Sequence, residues 1–360
     1  VITPQTLVAR HHILNTLAVH SRGVDRADAA LLGSAYHPDA TVDYGFFAGD
    51  AATLVAILAG AQKTTPPTLH RTSSCWIKVA GDHAVSESYV MAYAEEPDLQ
   101  RLVLGRYLDR HECRDGQWRL SHRTYVIEGN MNRPTTVVRD DPPLAPDHYV
   151  PQGAKGAADP GRALLAFYAA QVAAAISTKS APTGASAMTQ PAPSGLDAAL
   201  ARAEIHDLCM AYGRGVDRAD EALLRSIFTD DATVITGVIN GSGAEFARQI
   251  CTFVTSELDL CFHSVANEWV EVNGDEAVGE HYALAHMVKD GFDVMTGGRY
   301  LDRYVRRDGK WLIQARAFVT DWNTSHPSTL ERSGFYEALS IWGSFGKTDP
   351  VYAHWASLEA

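Results

Sequence analysis

Apolar positions recur at near-helical spacing over residues 5–22, with Leu7, Leu14, Leu17 and Ala18, and again over 196–213, with Leu196, Leu200, Leu208 and Tyr212. Each set predicts an amphipathic helix. Both helices run into one heptad, Arg-Gly-Val-Asp-Arg-Ala-Asp, at 22–28 and 214–220. Gly23 and Gly215 suit a helix C-terminal cap, while Asp28 and Asp220 suit the N-cap of a further helix through Leu31-Leu32 or Leu223-Leu224. Short β-branched runs follow Asp39 and Asp231, and a third helical segment is expected at about 51–62 and 243–256.

The pattern then changes period. Residues 68–79, 83–94, 101–113 and 117–127 alternate or run apolar, broken by Gly81-Asp82 and Asp115-Gly116; Asn273-Gly274 and Asp308-Gly309 hold the same places later. These pairs tolerate the positive φ of tight hairpins, so the strands form an antiparallel meander. Helices followed by such a meander give an α+β layout in which the helices cover one face of a curved sheet. Gly105-Arg-Tyr-Leu-Asp-Arg110 aligns with Gly298-Arg-Tyr-Leu-Asp-Arg303 at an offset of 193 residues. So long a repeat predicts two copies of one domain, hence two tandem cone-shaped α+β barrels. Residues 1–167 make the first domain and 195–360 the second. The Ala/Ser/Pro-rich stretch 168–194 reads as a flexible or surface-draped linker. The tails match as well, Gly153-x-x-Gly156-x-x-Asp159-Pro160 with Gly343-x-x-Gly346-x-x-Asp349-Pro350.

Length agrees with this division, since 360 residues suit two domains. Charge narrows the partners: 43 acidic against 31 basic residues give −12, which repels a phosphate backbone and leaves a small hydrophobic molecule as the expected ligand rather than nucleic acid. Five cysteines lack metal-site spacing and read as reduced core residues. No stretch predicts a signal peptide or membrane span, so the expected compartment is cytoplasmic. Without metal spacing, a Gly-rich phosphate loop or a Gly-x-Ser-x-Gly elbow, the expected chemistry needs no metal or cofactor.

Arg-Gly-Val-Asp-Arg, Tyr36-His-Pro-Asp-Ala40, Gly-Arg-Tyr-Leu-Asp-Arg and Asp-Gly-x-Trp, in this order and spacing, resemble the SnoaL-like branch of the nuclear transport factor 2-like superfamily. Both halves look like complete copies. In the eliminating enzymes of this group, an Asp at the Gly-Val-Asp position pairs with a His near the start of the first long strand. The resemblance thus implies the pairs Asp25 with His70 and Asp217 with His263. It further implies an Arg on the final strand (Arg123, Arg316), a polar donor five residues before the Asp (His20, Tyr212), and a pocket position on the second long strand (Tyr93, His286). Chemistry gives the pair a reason: imidazole near neutrality takes a proton, and a carboxylate on its other nitrogen fixes the tautomer and stabilises the cation. A Tyr or Arg nearby can hydrogen-bond a departing oxygen or an enolate, a contribution of up to ~3 to 4 kcal/mol.

Period two along the strands extends the candidate wall. His263 shares its face with Val265, Asn267 and Trp269, His70 with Thr72, Ser74 and Trp76, and Arg316 with Phe318 and Trp322. Two other assignments stand beside these. Arg123 and Arg316 can instead pair with Asp109 and Asp302 across the sheet, and aromatics such as Tyr44, Phe46, Phe47, Phe262 and Phe292 can be plain core. The expected function is a cofactor-independent lyase, a dehydratase acting on a hydrophobic polycyclic or aromatic, steroid-like alcohol. A ligand-binding protein, a ketosteroid-type isomerase using the same groups, and one active cone beside a silent one are the alternatives. A homo-oligomer or an intrachain pseudo-dimer is the expected assembly.

Overall fold

The structure is a computed structural model that describes residues 2–66, 68–135, 154–159 and 193–358. The first repeat comprises α1 (Pro4–Asp25), α2 (Ala29–Ser34), β1 (Tyr36–Asp43), β2 (Ala48–Asp50), α3 (Ala51–Gln62), β3 (Leu69–Ala80), β4 (His83–Glu95), β5 (Leu99–Arg114) and β6 (Gln117–Pro134). The second comprises α4 (Pro193–Asp217), α5 (Glu221–Ile227), β7 (Phe228–Ile235), β8 (Asn240–Ser242), α6 (Gly243–Glu257), β9 (Leu260–Asn273), β10 (Glu276–Lys289), β11 (Phe292–Arg307) and β12 (Lys310–Pro327), then a tail containing α7 (Pro350–Ala356). The expected linker 168–194 lies outside the described residues except for its last two positions, where α4 has already begun.

The sheets have orders β2-β1-β6-β5-β4-β3 and β8-β7-β12-β11-β10-β9. All neighbours are antiparallel except β1 with β6 and β7 with β12. The terminal strands of each sheet do not meet, so each cone is the expected curved, mostly antiparallel sheet wrapped over its helices, left open rather than closed on itself. Asp115-Gly116 and Asp308-Gly309 supply the positive φ that their hairpins need.

The heptad divides its labour differently from expectation at one position. α1 and α4 continue through Gly23 and Gly215 to Asp25 and Asp217, and the positive φ that ends each helix falls on Ala27 (51°) and Ala219 (52°). Gly23 is instead where two helices touch, since a Cβ there would lie 2.7 Å from Leu32 Cα and N. At Gly215 the obstacle is the flexible end of Leu224, also at 2.7 Å. Gly23→Ala should therefore cost about 1–3 kcal/mol by forcing backbone apart, and Gly215→Ala measurably less, both read from urea unfolding. Asp28 and Asp220 are N-caps, accepting from Leu31 N at 3.0 Å and Leu223 N at 3.2 Å.

The repeats join through the outer face of the first sheet. Arg106 donates to Glu87 at 2.8 Å, to Asp349 at 2.6 Å and to Glu128. Arg214 bonds the other Glu87 oxygen at 2.6 Å, and Arg218 reaches Glu128 at 2.9 Å and Asp349 at 3.0 Å. All six side chains are buried. Burial opposes the charge on Asp349, yet Arg106 and Arg218 hold its carboxyl well below the usual range. At Glu128 burial outweighs the same two arginines and pushes the carboxyl up. Around this cluster Phe262 packs on Tyr89, and Arg214 lies between the Trp76 and Trp355 rings, 4.0 and 4.1 Å from their centroids. The tail also crosses to the first cone: Tyr336, Leu339 and Trp342 pack on its core, and Ile127 N donates to Ile341 O at 2.8 Å.

Candidate active site

In each repeat the last residue of the long helix meets the first long strand. Asp217, fully buried, accepts from His263 N at 2.8 Å and lies 2.5 Å from His263 Nδ1. Asp25 does the same for His70, at 2.9 and 2.7 Å. Each carboxylate thus anchors the strand backbone and orients the ring that the strand carries. With Nδ1 held as donor, Nε2 is the basic nitrogen of each imidazole. Burial works against the charge of Asp217, but His263 and Arg218 keep its pKa below the ordinary value. The Asp25 carboxyl is likewise lowered, by His70 and Thr68 against burial. Thr68 donates to Asp25 at 2.8 Å, whereas Cys261 occupies the corresponding place beside His263, its Sγ 3.7 Å from Nδ1. Burial and Asp217 push the Cys261 thiol well above its usual pKa, so it stays protonated.

The surroundings of the two pairs differ. In the second repeat His263 and Cys261 border a cavity of about 290 Å³ walled by Tyr212, Tyr300, Phe318, Phe246, Met287, Ala283 and Ala285, with Thr236, Thr320 and Asn323 as polar points. In the first repeat Tyr44 stands where the second has Thr236, and it stacks on Tyr125 with centroids 5.6 Å apart. Tyr107, Tyr36 and His20 close the ring cluster. The tail segment at Tyr336–Trp342 packs beside Ile127, the counterpart of the cavity-lining Thr320. His20 is buried, and burial, then Arg123 and His70, keep it neutral.

Tyr212 borders the cavity, its phenol pushed up to about 12 by burial, so it remains a hydrogen-bond donor. Arg316 stands behind it. The guanidinium is bound at two points by Asp302, at 2.8 and 2.7 Å, and lies over Tyr212 and Tyr300, 4.1 and 4.4 Å from their centroids. Arg123 repeats this with Asp109 and Tyr107. Both arginines are therefore placed to fix tyrosines that face the interior.

Phe318 joins the wall, but six expected wall residues do not, and β-bulges explain four of them. An extra residue at Asn267, with φ of 49°, shifts the register between His281 and Tyr282, leaving Asn267 exposed and turning Trp269 to the outer face. Ser74 makes the same bulge in the first repeat and sends Trp76 to the interface with the second. A bulge at Asp321 turns Trp322 outward over Gly297 and brings Asn323 into the cavity. His286 and Tyr93 fall on the outer phase of their strands, in step with Tyr282 and Tyr89; His286 is buried 3.4 Å from Asp293. Thr236, Thr320 and Asn323 went unforeseen because no motif marks them. The alternation Ala283, Ala285, Met287 was the available signal for a roomy wall.

Among the described residues, two groups bring metal-type donor atoms within 4.8 Å of one another, Asp217 with Cys261 and His263, and Cys209 with His281 and Asp302. Their donors already serve one another: Asp217 holds His263, Asp302 holds Arg316 and Tyr304, and burial pushes the Cys209 thiol up to about 12.

Two open α+β cones, each with an Asp–His pair where helix meets strand, define the class of protein. The chain belongs to the SnoaL-like domain family, which matches it twice, over residues 5–124 and 197–317. Gamma-hexachlorocyclohexane dehydrochlorinase of Sphingobium indicum strain UT26 is 30% identical over 136 residues, 36% of this chain and 87% of that protein. Hexachlorocyclohexane dehydrochlorinase 1 of Sphingobium indicum strain B90A is 30% identical over 125 residues, 33% of this chain and 81% of that protein. Dehydrochlorinases are lyases. Among solved structures, the crystal structure of LinA is 30% identical, covering 38% of this chain and 95% of that one at a TM-score of 0.35. The dehydrochlorinase LinA-type3 of Novosphingobium barchaimii is 27% identical, covering 35% and 90% at 0.33.

Proposed function

We propose that the second cone is the active site of a cofactor-independent lyase, a dehydratase for hydrophobic polycyclic or aromatic, steroid-like alcohols, and that the first cone is catalytically silent. The observation that carries this reading is the apolar cavity in direct contact with an imidazole already oriented by a buried carboxylate. His263 Nε2 takes a proton from carbon, and the C–H electron pair becomes the new double bond. The C–O bond breaks with its electrons on oxygen, which Tyr212 receives as a hydrogen-bond donor. Transfer of the proton from His263 to that oxygen releases water and restores the neutral base. Asp217 stabilises the imidazolium in between, and Arg316 with Asp302 holds Tyr212 in place.

The similarity to hexachlorocyclohexane dehydrochlorinases favours a second leaving group, chloride, which departs as an anion and needs no donated proton. Tyr212→Phe separates the two. Loss of water from hydroxylated polycyclic substrates should fall by about 10² or more, while chloride release from γ-hexachlorocyclohexane should stay near the wild-type rate. Chromatography of substrate loss and ion-selective chloride measurement read the two arms. Failure of the wild type to turn over either class, combined with tight binding of the same compounds, would make the cavity a carrier site.

A further inference from the structure

The outer faces of the two sheets carry the same groups in different surroundings. Glu280, Arg299 and Asp321 occupy the positions of Glu87, Arg106 and Glu128, with the same strand register, Tyr282 opposite Arg299 as Tyr89 is opposite Arg106. Arg299 reaches Asp321 at 3.1 Å and Glu280 at 3.6 Å. In the first repeat this triad is 0 to 4% exposed beneath the second repeat, whereas in the second its side chains are 29 to 39% exposed. Trp269, 68% exposed, and Trp322, 48% exposed, stand beside it with Tyr282 and Leu301 also exposed. Neighbouring exposed aromatics around a charged centre mark a surface built to be covered.

The structure contains the kind of surface that covers it. The first triad is met by Arg214, Arg218 and Asp349, and the neighbouring Tyr89 by Phe262. The duplication supplies this set again on the first repeat, as Arg22, Arg26, Asp159 and Leu69. There Arg22 and Arg26 lie 2.9 and 3.5 Å from Asp159. Gly156 N bonds Arg26 O at 2.6 Å, just as Gly346 N bonds Arg218 O at 2.7 Å, so the backbone presents the set in the same way. Leu69, in the place of Phe262, is 57% exposed.

We propose that the outer face of the second repeat docks a second copy of this chain through the Arg22 and Arg26 surface of that copy's first repeat, with the Asp159 carboxylate, 6% exposed, set behind the two arginines. Arg22 meets Glu280, Arg26 meets Asp321, and Asp159 meets Arg299, reproducing between chains the contact already made within one. Such an interface is head-to-tail, so it builds a ring or an open chain of molecules rather than a two-fold dimer with matching patches.

Sedimentation of the full chain at concentrations on the order of 1 to 100 µM tests this. The wild type should include species of at least twice the 39.1 kDa chain mass. A back variant, Trp269→Ser with Arg299→Glu, and a front variant, Arg22→Glu with Arg26→Glu, should each sediment at the chain mass. An equimolar mixture of the two should recover a two-chain species, because one intact front and one intact back remain. Trp269→Ser alone and Leu69→Asp alone, at exposed positions, repeat the comparison with little demand on folding, which circular dichroism checks. A wild type that stays at the single-chain mass overturns the proposal, as does association that survives either variant or a mixture that stays single.

Discussion

His263→Ala is expected to lower the elimination rate by about 10²- to 10⁴-fold, the range a positioned general base contributes, while His70→Ala leaves the rate near wild type. Both histidines have the same carboxylate partner at nearly the same distance, so the pair itself does not predict the difference. Space does: a substrate carbon can approach His263 from the cavity, whereas Tyr44 and the crossing tail occupy the corresponding room in the first cone. Single-turnover measurements on the two variants, with unfolding curves beside them to exclude loss of fold, read the outcome. Equal losses from both variants would mean that the first cone also turns over substrate.

Arg106→Met is expected to cost about 3–5 kcal/mol, the usual loss when one partner leaves a buried ionic cluster. Arg106, Arg214 and Arg218 balance Glu87, Glu128 and Asp349, and every one of the six is buried. Methionine fills the volume but leaves three buried carboxylates facing two cations. Urea unfolding of the full chain measures the loss. Arg114→Met is the comparison, because Arg114 pairs with Asp39 and Glu112 at the surface, and removing it should leave the unfolding curve close to that of the wild type. If the two changes cost the same, the cluster is not what holds the repeats together.

Much of this was legible in the chain. The heptads, the hairpin pairs and the apolar periods specify two copies of a helix-covered meander, and the family resemblance carried by those motifs points to Asp25 with His70 and Asp217 with His263, the groups that the structure brings together. What escaped was phase. Period-two reading assumes an unbroken strand, and a single left-handed residue at Ser74 or Asn267 inverts every position after it. Asn267 was a readable hint, since asparagine tolerates positive φ better than most residues; Ser74 and Asp321 gave none. The heptad glycines misled for a different reason. Glycine serves both positive φ and close approach, and only the packing of Leu32 against α1 tells which applies at Gly23.

The Asp–His pair also fastens a helix terminus to a strand, through the bond from each histidine backbone N–H to its aspartate. That fastening is useful to any copy of the domain, including one whose interior has been filled. Selection can therefore keep the pair for its structural use alone, and the number of such pairs in a duplicated chain does not by itself give the number of working centres. The difference between the two cones lies elsewhere, at the position of Tyr44 and Thr236 and in the tail that packs on the first core alone.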